Sequence, residues 1–278
     1  MGIRGRGKSS GKRVGLALSS GAARGLAHIG VLAVLEREGI PIDIIAGTSM
    51  GALVGALYAQ GRGVDEMEGL AGTWGAKRLA LFVEPTLSKT GLIMGRKIEG
   101  AFKSIIGDVE FRDLGIPFAC VATDVDSGEE VVIKRGLVRE GIRASSSIPV
   151  LLAVAKWEGR YLVDGSLVNP VPVSVLREMG ADFIIAVNVR SDIQDKVHRV
   201  NEGQLEHKEP NIFSIIMQTV HIAGYQALRA SLSGADVLIE PQVSSIGFFD
   251  FHRSQECFLK GVLAAEEAVV EIKRRLGP

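Results

Sequence analysis

Residues 47–51 read GTSMG, a Gly-x-Ser-x-Gly pattern with Ser49 at its centre. A short apolar run at residues 43–47 leads into it, and residues 49–60 follow with helical spacing. A serine on a sharp strand-to-helix turn projects its hydroxyl out of the fold, and Gly47 and Gly51 would allow the close backbone approach that such a turn needs. The pattern therefore predicts a nucleophile at Ser49. A serine that only caps a helix between two packing glycines explains the same residues.

A loop of small residues lies one strand and one helix earlier in the chain. Residues 19–25 read SSGAARG, between an apolar run at residues 13–18 and a helical pattern at residues 24–39. Backbone N–H groups in such a loop can converge on an anion, helped by the positive end of the following helix. That anion is either a dinucleotide pyrophosphate or the oxyanion of an acyl-transfer intermediate. A tight turn with close helix packing is the structural alternative.

The glycine spacing argues against a nucleotide. The loop has Gly21-x-x-x-Gly25 with no leading Gly-x-Gly, and only Glu36 or Asp43 lies near the distance expected of a ribose-binding carboxylate. An oxyanion loop, by contrast, is expected beside a nucleophile elbow. The sequence thus predicts an acyl-transfer site with no cofactor and no metal.

A carboxylate follows the short strand predicted at residues 161–163. Asp164 and Gly165 form an Asp-Gly pair, which by itself is typical of an ordinary turn. A serine hydroxyl is a poor nucleophile until a base takes its proton. Beside the other two motifs, Asp164 is therefore also a candidate base.

These three motifs, in this order, resemble the patatin-like phospholipases. The resemblance covers roughly residues 14–190 and includes IRASSSIP at residues 142–149 and YLVDGSLVNPVP at residues 161–172. It implies a three-layer α/β/α fold with a mostly parallel central sheet. It also implies a Ser-Asp dyad that hydrolyses acyl esters, typically of phospholipids or lysophospholipids, through an acyl-enzyme.

The resemblance assigns roles position by position. It implies Ser49 as the nucleophile and Asp164 as the base. The oxyanion would be bound by the backbone N–H groups of Gly21 and Ala22, and Arg24 would orient that loop.

The loop departs from the family pattern, which is usually a run of glycines. Ser19, Ser20 and Ala22 stand in place of glycines here. Ala22 can present its N–H only with a negative φ or with backbone strain. The third motif, with Ser166 after the Asp-Gly pair, is a mild variation.

Histidines offer a competing base, because the usual hydrolase triad runs in the order Ser, Asp, His. The histidines that follow Ser49 are His198, His207, His221 and His252. None of them lies in the kind of glycine turn that would present a base. His28 falls inside an apolar helical pattern, where we expect it to be packed or hydrogen-bonded.

Alternating strand and helix patterns predict a parallel sheet with right-handed crossovers. We predict strands at residues 13–18, 43–47, 116–123, 130–134, 161–163, 182–189 and 237–240. We predict helices at residues 24–39, 49–60, 136–146, 171–179, 212–232 and 257–276. Residues 191–211 are polar and are predicted to form a loop.

Composition restricts the classes that remain. With 278 residues, 46% hydrophobic and 23% charged, the chain is long and apolar enough for one folded α/β domain. Lys+Arg and Asp+Glu both number 32, so no net charge attracts nucleic acid. Cys120 and Cys257 match no metal or redox spacing.

The first residues predict a basic disordered tail. Residues 1–12 carry Arg4, Arg6, Lys8 and Lys12 without an acid, and the apolar run at residues 14–18 is too short for a signal peptide or a membrane span. We therefore expect a tail over residues 1–12 and a single patatin-like domain over residues 13–278. The expected location is cytoplasmic, with at most transient contact at a membrane surface, and the oligomeric state stays open.

Other functions stay open beside a lipid acyl hydrolase. A short-chain carboxylesterase or thioesterase would use the same dyad, since the size of the acyl pocket depends on tertiary structure. A non-catalytic lipid-binding or regulatory relative would keep the fold, and the substituted glycine loop points slightly towards it. The last alternative is a nucleotide-binding protein, and the glycine spacing argues against it.

Overall fold

The structure is a computed structural model that describes residues 11–73, 95–149, 151–190 and 212–277. Its centre is one eight-stranded sheet, in which seven strands follow the order β5-β6-β3-β2-β1-β7-β8 and β4 pairs with β3. The strands are β1 Val14–Leu18, β2 Ile44–Thr48, β3 Phe118–Asp124, β4 Glu130–Ile133, β5 Ala155–Trp157, β6 Arg160–Asp164, β7 Phe183–Val187 and β8 Val237–Ile239.

The sheet is parallel at its centre and antiparallel at one end. The pairs β1–β2, β2–β3, β1–β7 and β7–β8 are parallel. Both β4 and β6 run antiparallel to β3, and β5 runs antiparallel to β6. The carboxyl ends of β1, β2, β3 and β7 therefore meet at one edge of the sheet.

Eight α-helices lie within the described residues. They are α1 Ala27–Arg37, α2 Met50–Ala59, α3 Val64–Gly72, α4 Gly95–Ile106, α5 Val138–Ser145, α6 Val173–Glu178, α7 Ile212–Ser231 and α8 Ser254–Leu276. None of these helices is both long and apolar enough to cross a lipid bilayer.

Strand alternation divides the interior into two apolar cores. In β1, Leu16 and Leu18 face a core shared with α1, α2 and α8, whereas Ala17 faces a core shared with α6 and α7. Successive side chains of a strand point to opposite faces, so a sheet covered by helices on both faces is apolar throughout. The predicted three-layer α/β/α fold with a mostly parallel sheet is confirmed.

Two local predictions were wrong. The helix predicted from residue 24 begins as a 3₁₀ turn at Ala22–Leu26, and α1 starts only at Ala27. The backbone N–H of Ala23 donates to Phe248 O at 3.2 Å, a contact outside the helix that replaces a regular first turn. Strand β5 was missed because three residues are too few to show a period. Residues 191–211 lie outside the described residues.

Candidate active site

Ser49 occupies the turn between β2 and α2 with φ 55° and ψ −117°. This conformation is rare for a residue with a side chain, and strain of this kind concentrates at functional sites. The backbone N–H of Ser49 donates to Ser145 Oγ at 2.9 Å, which holds the turn against the end of α5. Ser49 is buried, with 6% relative exposure. The geometry is that of a nucleophile elbow.

The glycines on either side of Ser49 lie where a side chain does not fit. A Cβ on Gly47 would come 2.5 Å from Gly51 O, and a Cβ on Gly51 would come 2.3 Å from Leu18 O. Both contacts are with backbone atoms, which cannot rotate away. The first turn of α2 therefore packs directly on the end of β1.

Asp164 ends β6 at the same level of the sheet as Ser49. Ala122 pairs with Asp164, and the preceding residue of β3, Val121, pairs with Thr48. A Cβ on Gly165 would lie 2.3 Å from Val121 O, so the chain after Asp164 runs tightly over β3. The Ser49 side chain interacts with the Asp164 carboxylate, and this interaction acts to lower the pKa of Asp164.

The Asp164 backbone and side chain are both anchored. Its N–H donates to Ser147 O at 2.9 Å, and its carbonyl accepts from Thr123 Oγ1 at 2.9 Å. Its Oδ1 accepts from the N–H of Ser166 at 2.8 Å. Burial raises the pKa of Asp164, although the interactions with Ser49 and Ser166 act in the opposite direction. A buried carboxylate with a raised pKa is a stronger base than an exposed one.

The loop at residues 19–25 combines N–H groups that bond to carbonyls with two for which no carbonyl acceptor is found among the described residues. Four of its N–H groups donate to carbonyls: Ser19 to Val187, Ser20 to Pro170, Ala23 to Phe248 and Arg24 to Gly21, at 2.9–3.2 Å. Within the described residues, no acceptor is recorded for the N–H of Gly21 or Ala22. Since buried backbone donors are nearly always paired, this pair is suited to a bound oxyanion.

Ala22 keeps its place in the loop at the cost of strain. Its φ is 48°, in the left-handed region that glycine adopts freely and alanine does not. Arg24 Nε donates to Ile246 O at 2.7 Å, which ties the loop to a neighbouring segment. A Cβ on Gly25 would lie 2.4 Å from Met50 Cγ, so the loop packs directly on the residue after Ser49.

The histidines that the structure describes are not placed as a base for Ser49. His28 is fully buried in α1, and its Nε2 donates to Ser19 O at 2.8 Å. Burial lowers the pKa of His28 to about 4, so the ring is neutral at pH 7. His252 is exposed in a 3₁₀ turn at Phe251–Arg253. His198, His207 and the side chain of His221 lie outside the described residues.

The sequence alone gives no role to the serine run in IRASSSIP. In the structure this run forms hydrogen bonds with the backbones of both Ser49 and Asp164. Ser145 accepts from the N–H of Ser49, and the Ser147 carbonyl accepts from the N–H of Asp164. The buried Arg143 donates to Ser147 Oγ and, at 2.6 Å, to Ala153 O. The signal available in the sequence is an arginine followed by three serines between apolar residues in IRASSSIP.

The sequence matches known proteins across the part that builds this site. The model of the family described as patatin-like phospholipase matches residues 16–177. An uncharacterized NTE family protein of Mycobacterium tuberculosis is 39% identical over 210 residues, covering 76% of this chain and 56% of the relative. Lysophospholipase NTE1 of Scheffersomyces stipitis is 30% identical over 277 residues, covering 93% of this chain and 18% of the relative. The chain thus spans about half of the mycobacterial protein and under a fifth of the yeast one.

Solved structures with low sequence identity share the fold. VipD from Legionella pneumophila has a TM-score of 0.55 at 14% identity, covering 94% of this chain and 66% of that chain. Human GIVD cytosolic phospholipase A2 has a TM-score of 0.52 at 12% identity, covering 96% and 60%. The elbow, loop and acidic turn all lie within the matched residues 16–177, and the resemblance read from them is confirmed: the chain belongs to the patatin-like phospholipase family.

Proposed function

We propose that this protein is a serine acyl hydrolase that cleaves carboxylic esters of lipids, with Ser49 as nucleophile and Asp164 as base. The observation that carries the proposal is the juxtaposition of Ser49 and the buried Asp164, which lie beside adjacent positions of β3 and interact through their side chains. Membership of the patatin-like phospholipase family and similarity to a protein named lysophospholipase support lipid esters as the substrate class.

The first half of the reaction forms an acyl-enzyme. Asp164 takes the hydroxyl proton as Ser49 Oγ attacks the ester carbonyl, and the carbonyl oxygen becomes the oxyanion of a tetrahedral intermediate. The N–H groups of Gly21 and Ala22 donate to that oxyanion. The intermediate collapses as the bond to the alcohol oxygen breaks, and Asp164 returns its proton to the leaving alcohol.

The second half releases the fatty acid. Asp164 takes a proton from water as the water oxygen attacks the acyl carbonyl, and the same two N–H groups stabilise the second oxyanion. Collapse breaks the bond to Ser49 Oγ, which recovers its proton from Asp164. The products are a free carboxylic acid and the alcohol, and both residues return to their starting protonation states.

The site favours this use of an aspartate without a histidine. An exposed aspartate has a pKa near ~3.9 and is a weak base at neutral pH. Burial of Asp164 raises its pKa, which increases its affinity for the Ser49 proton. The strained turn at Ser49 positions the nucleophile, and the N–H groups of Gly21 and Ala22 are positioned to bind the oxyanion, as acyl transfer requires.

A substrate panel tests the proposal. Phosphatidylcholine, lysophosphatidylcholine, a short-chain p-nitrophenyl ester and an acyl thioester are each incubated with the parent protein and with Ser49→Ala. We expect hydrolysis of lipid esters by the parent and loss of nearly all of it in Ser49→Ala. Preference for the short ester or the thioester would move the protein to the esterase or thioesterase class. Absence of Ser49-dependent hydrolysis of every substrate would leave a non-catalytic relative.

A further inference from the structure

Two residues that follow β7 donate hydrogen bonds to serines of the oxyanion loop. The backbone N–H of Val189 donates to Ser19 Oγ at 2.9 Å, and Arg190 Nη1 donates to Ser20 Oγ at 2.9 Å. The Arg190 backbone is itself anchored, since its N–H donates to Asn188 Oδ1 at 3.0 Å. The hydroxyls that distinguish this loop from a run of glycines therefore accept bonds from two consecutive residues.

The guanidinium of Arg190 also lies beside the acidic turn. A Cβ on Gly224 of α7 would come 2.5 Å from Ser166 O and 2.9 Å from Arg190 Nη2. Both groups thus contact the same point of α7, where only a glycine leaves them room. The N–H of Ser166 in turn donates to Asp164 Oδ1 at 2.8 Å. Arg190 therefore spans the gap between the oxyanion loop and the proposed base.

The charges reinforce this geometry. The positive charge of Arg190 lowers the pKa of Asp164, against the larger effect of burial. Burial lowers the pKa of Arg190 to about 10, with a smaller contribution from Arg24, so Arg190 is still cationic at neutral pH. Arg190 and Asp164 act on each other through their charges, and Arg24 also acts on Arg190.

We infer that Arg190 is a positioning residue that couples the oxyanion loop, through Ser20, to the carboxylate of Asp164. It keeps the base ionised at working pH and holds the loop at a fixed distance from it. The inference rests on the proposed function, because both partners matter only if acyl transfer occurs there. Arg190 is not expected to touch the reacting atoms.

The test uses a pH profile of kcat/KM for a neutral, soluble p-nitrophenyl ester, measured on the full chain. Arg190→Met removes both the charge and the bond to Ser20. We expect it to lower kcat roughly 10-fold or more at neutral pH and to move the acid limb upward by about one pH unit, the lower end of the effect of a neighbouring arginine on an aspartate. Arg190→Lys should restore the position of the acid limb.

Two further variants separate charge from hydrogen bonding. Ser20→Ala removes the loop contact alone, so kcat should fall while the acid limb stays in place. Arg190→Gln keeps a donor for Ser20 without the charge, so the acid limb should move as in Arg190→Met. Arg135→Met is the matched control, because Arg135, which follows β4, forms an exposed ion pair with Glu158. This variant should leave kcat and the position of the acid limb unchanged.

The outcomes are distinguishable. A folded Arg190→Met with the parent's kcat and acid limb would overturn the inference. If Arg190→Met does not fold, Arg190→Gln and Arg190→Lys decide, and equal acid limbs in these two variants would overturn it. Failure of the proposed function looks different, because the parent itself would then show no hydrolysis that depends on Ser49.

Discussion

The side chain of Ser49 interacts with the carboxylate of Asp164, and each of the two residues is held by a separate serine of one short segment. Ser145 fixes the backbone of Ser49, and Ser147 fixes the backbone of Asp164. Because these braces lie two residues apart, the end of α5 sets the distance between the proposed nucleophile and base.

Removing the N–H of Gly21 should slow turnover, and proline at this position should also destabilise the loop, because it fixes φ at about −65° whereas Gly21 has a φ of 174°. Gly21→Pro loses one oxyanion donor, for which we expect a fall in kcat of at least ~10²-fold. The control is Gly21→Ala in a Val189→Ala background. A Cβ on Gly21 would lie 2.5 Å from Val189 Cγ2, so the second change makes room while the N–H is kept. The double variant should retain most activity, and a folded Gly21→Pro with full activity would remove this loop from the mechanism.

Glycine at position 22 should relieve strain rather than create it. Ala22 has a φ of 48°, which costs an L-residue roughly 1–2 kcal/mol, whereas the added chain entropy of glycine costs roughly 0.5–1 kcal/mol. Ala22→Gly should therefore leave the free energy of unfolding equal or higher, with equal or faster turnover. Ala23→Gly is the control, since Ala23 is buried without a positive φ and should lose about 1 kcal/mol. Equal losses in both variants, measured by urea denaturation, would show that Ala22 is unstrained.

The raised pKa of Asp164 predicts a pH profile and a stability effect of known sign. Asp164 accepts a proton only when ionised, so kcat/KM should fall as pH drops through a pKa above the ordinary ~3.9. The same rise means that ionisation is harder in the folded than in the unfolded protein. Asp164→Asn should thus abolish activity while the free energy of unfolding at pH 7 stays equal or increases.

Asp124 is the control for the stability measurement on Asp164→Asn, because its pKa is lowered rather than raised. Its carboxylate accepts from the N–H groups of Ser127 and Asp126, and the bond from Ser127 is the largest cause that lowers the pKa of Asp124. A lowered pKa contributes stability above the unfolded value, so Asp124→Asn should destabilise the protein at pH 7 and have less effect in acid. Destabilisation of similar size by Asp164→Asn would contradict the raised pKa.

His28 should make the fold sensitive to acid. Its pKa falls from 6.5 to about 4 on burial, so the unfolded chain binds a proton that the folded chain does not. Stability should therefore decrease as pH falls from about 6.5 towards about 4, by roughly 3 kcal/mol in total from this residue. His28→Gln keeps a donor for Ser19 O without a titrating ring and should flatten this part of the curve. An unchanged slope in the variant would show that other groups cause it.

The sequence was sufficient for the features that depend on neighbours in the chain. The elbow at Ser49 and the strands around it follow from an apolar run, a glycine motif and a helical period, and these predictions agree with β2 and α2. The sequence allows two alternatives for the backbone of Ala22, because only the packed loop decides between a negative φ and strain. The structure shows the strained one.

The contacts that support the site from distant segments cannot be predicted from the sequence, for a different reason. Ser145, Ser147 and Arg190 contact the site from segments far away in the chain, and their partners are set by how the sheet and helices pack. The hydrophobic periodicity of one segment gives no information about its contacts with another segment. A polar residue inside an apolar segment indicates that a partner exists, but not which one.

The most direct test of the Ser-Asp dyad is the rate of covalent labelling by an alkyl fluorophosphonate, with the adduct located by peptide mass spectrometry. Attack by Ser49 Oγ forms an oxygen–phosphorus bond and expels fluoride, so the rate reports how well the serine is activated. We predict one adduct on Ser49, a rate at least ~10²-fold lower in Asp164→Asn, and parent-like rates when His198, His207, His221 and His252 are replaced one at a time. An adduct on another residue, or a well-folded histidine variant that labels as slowly as Asp164→Asn, would contradict the dyad.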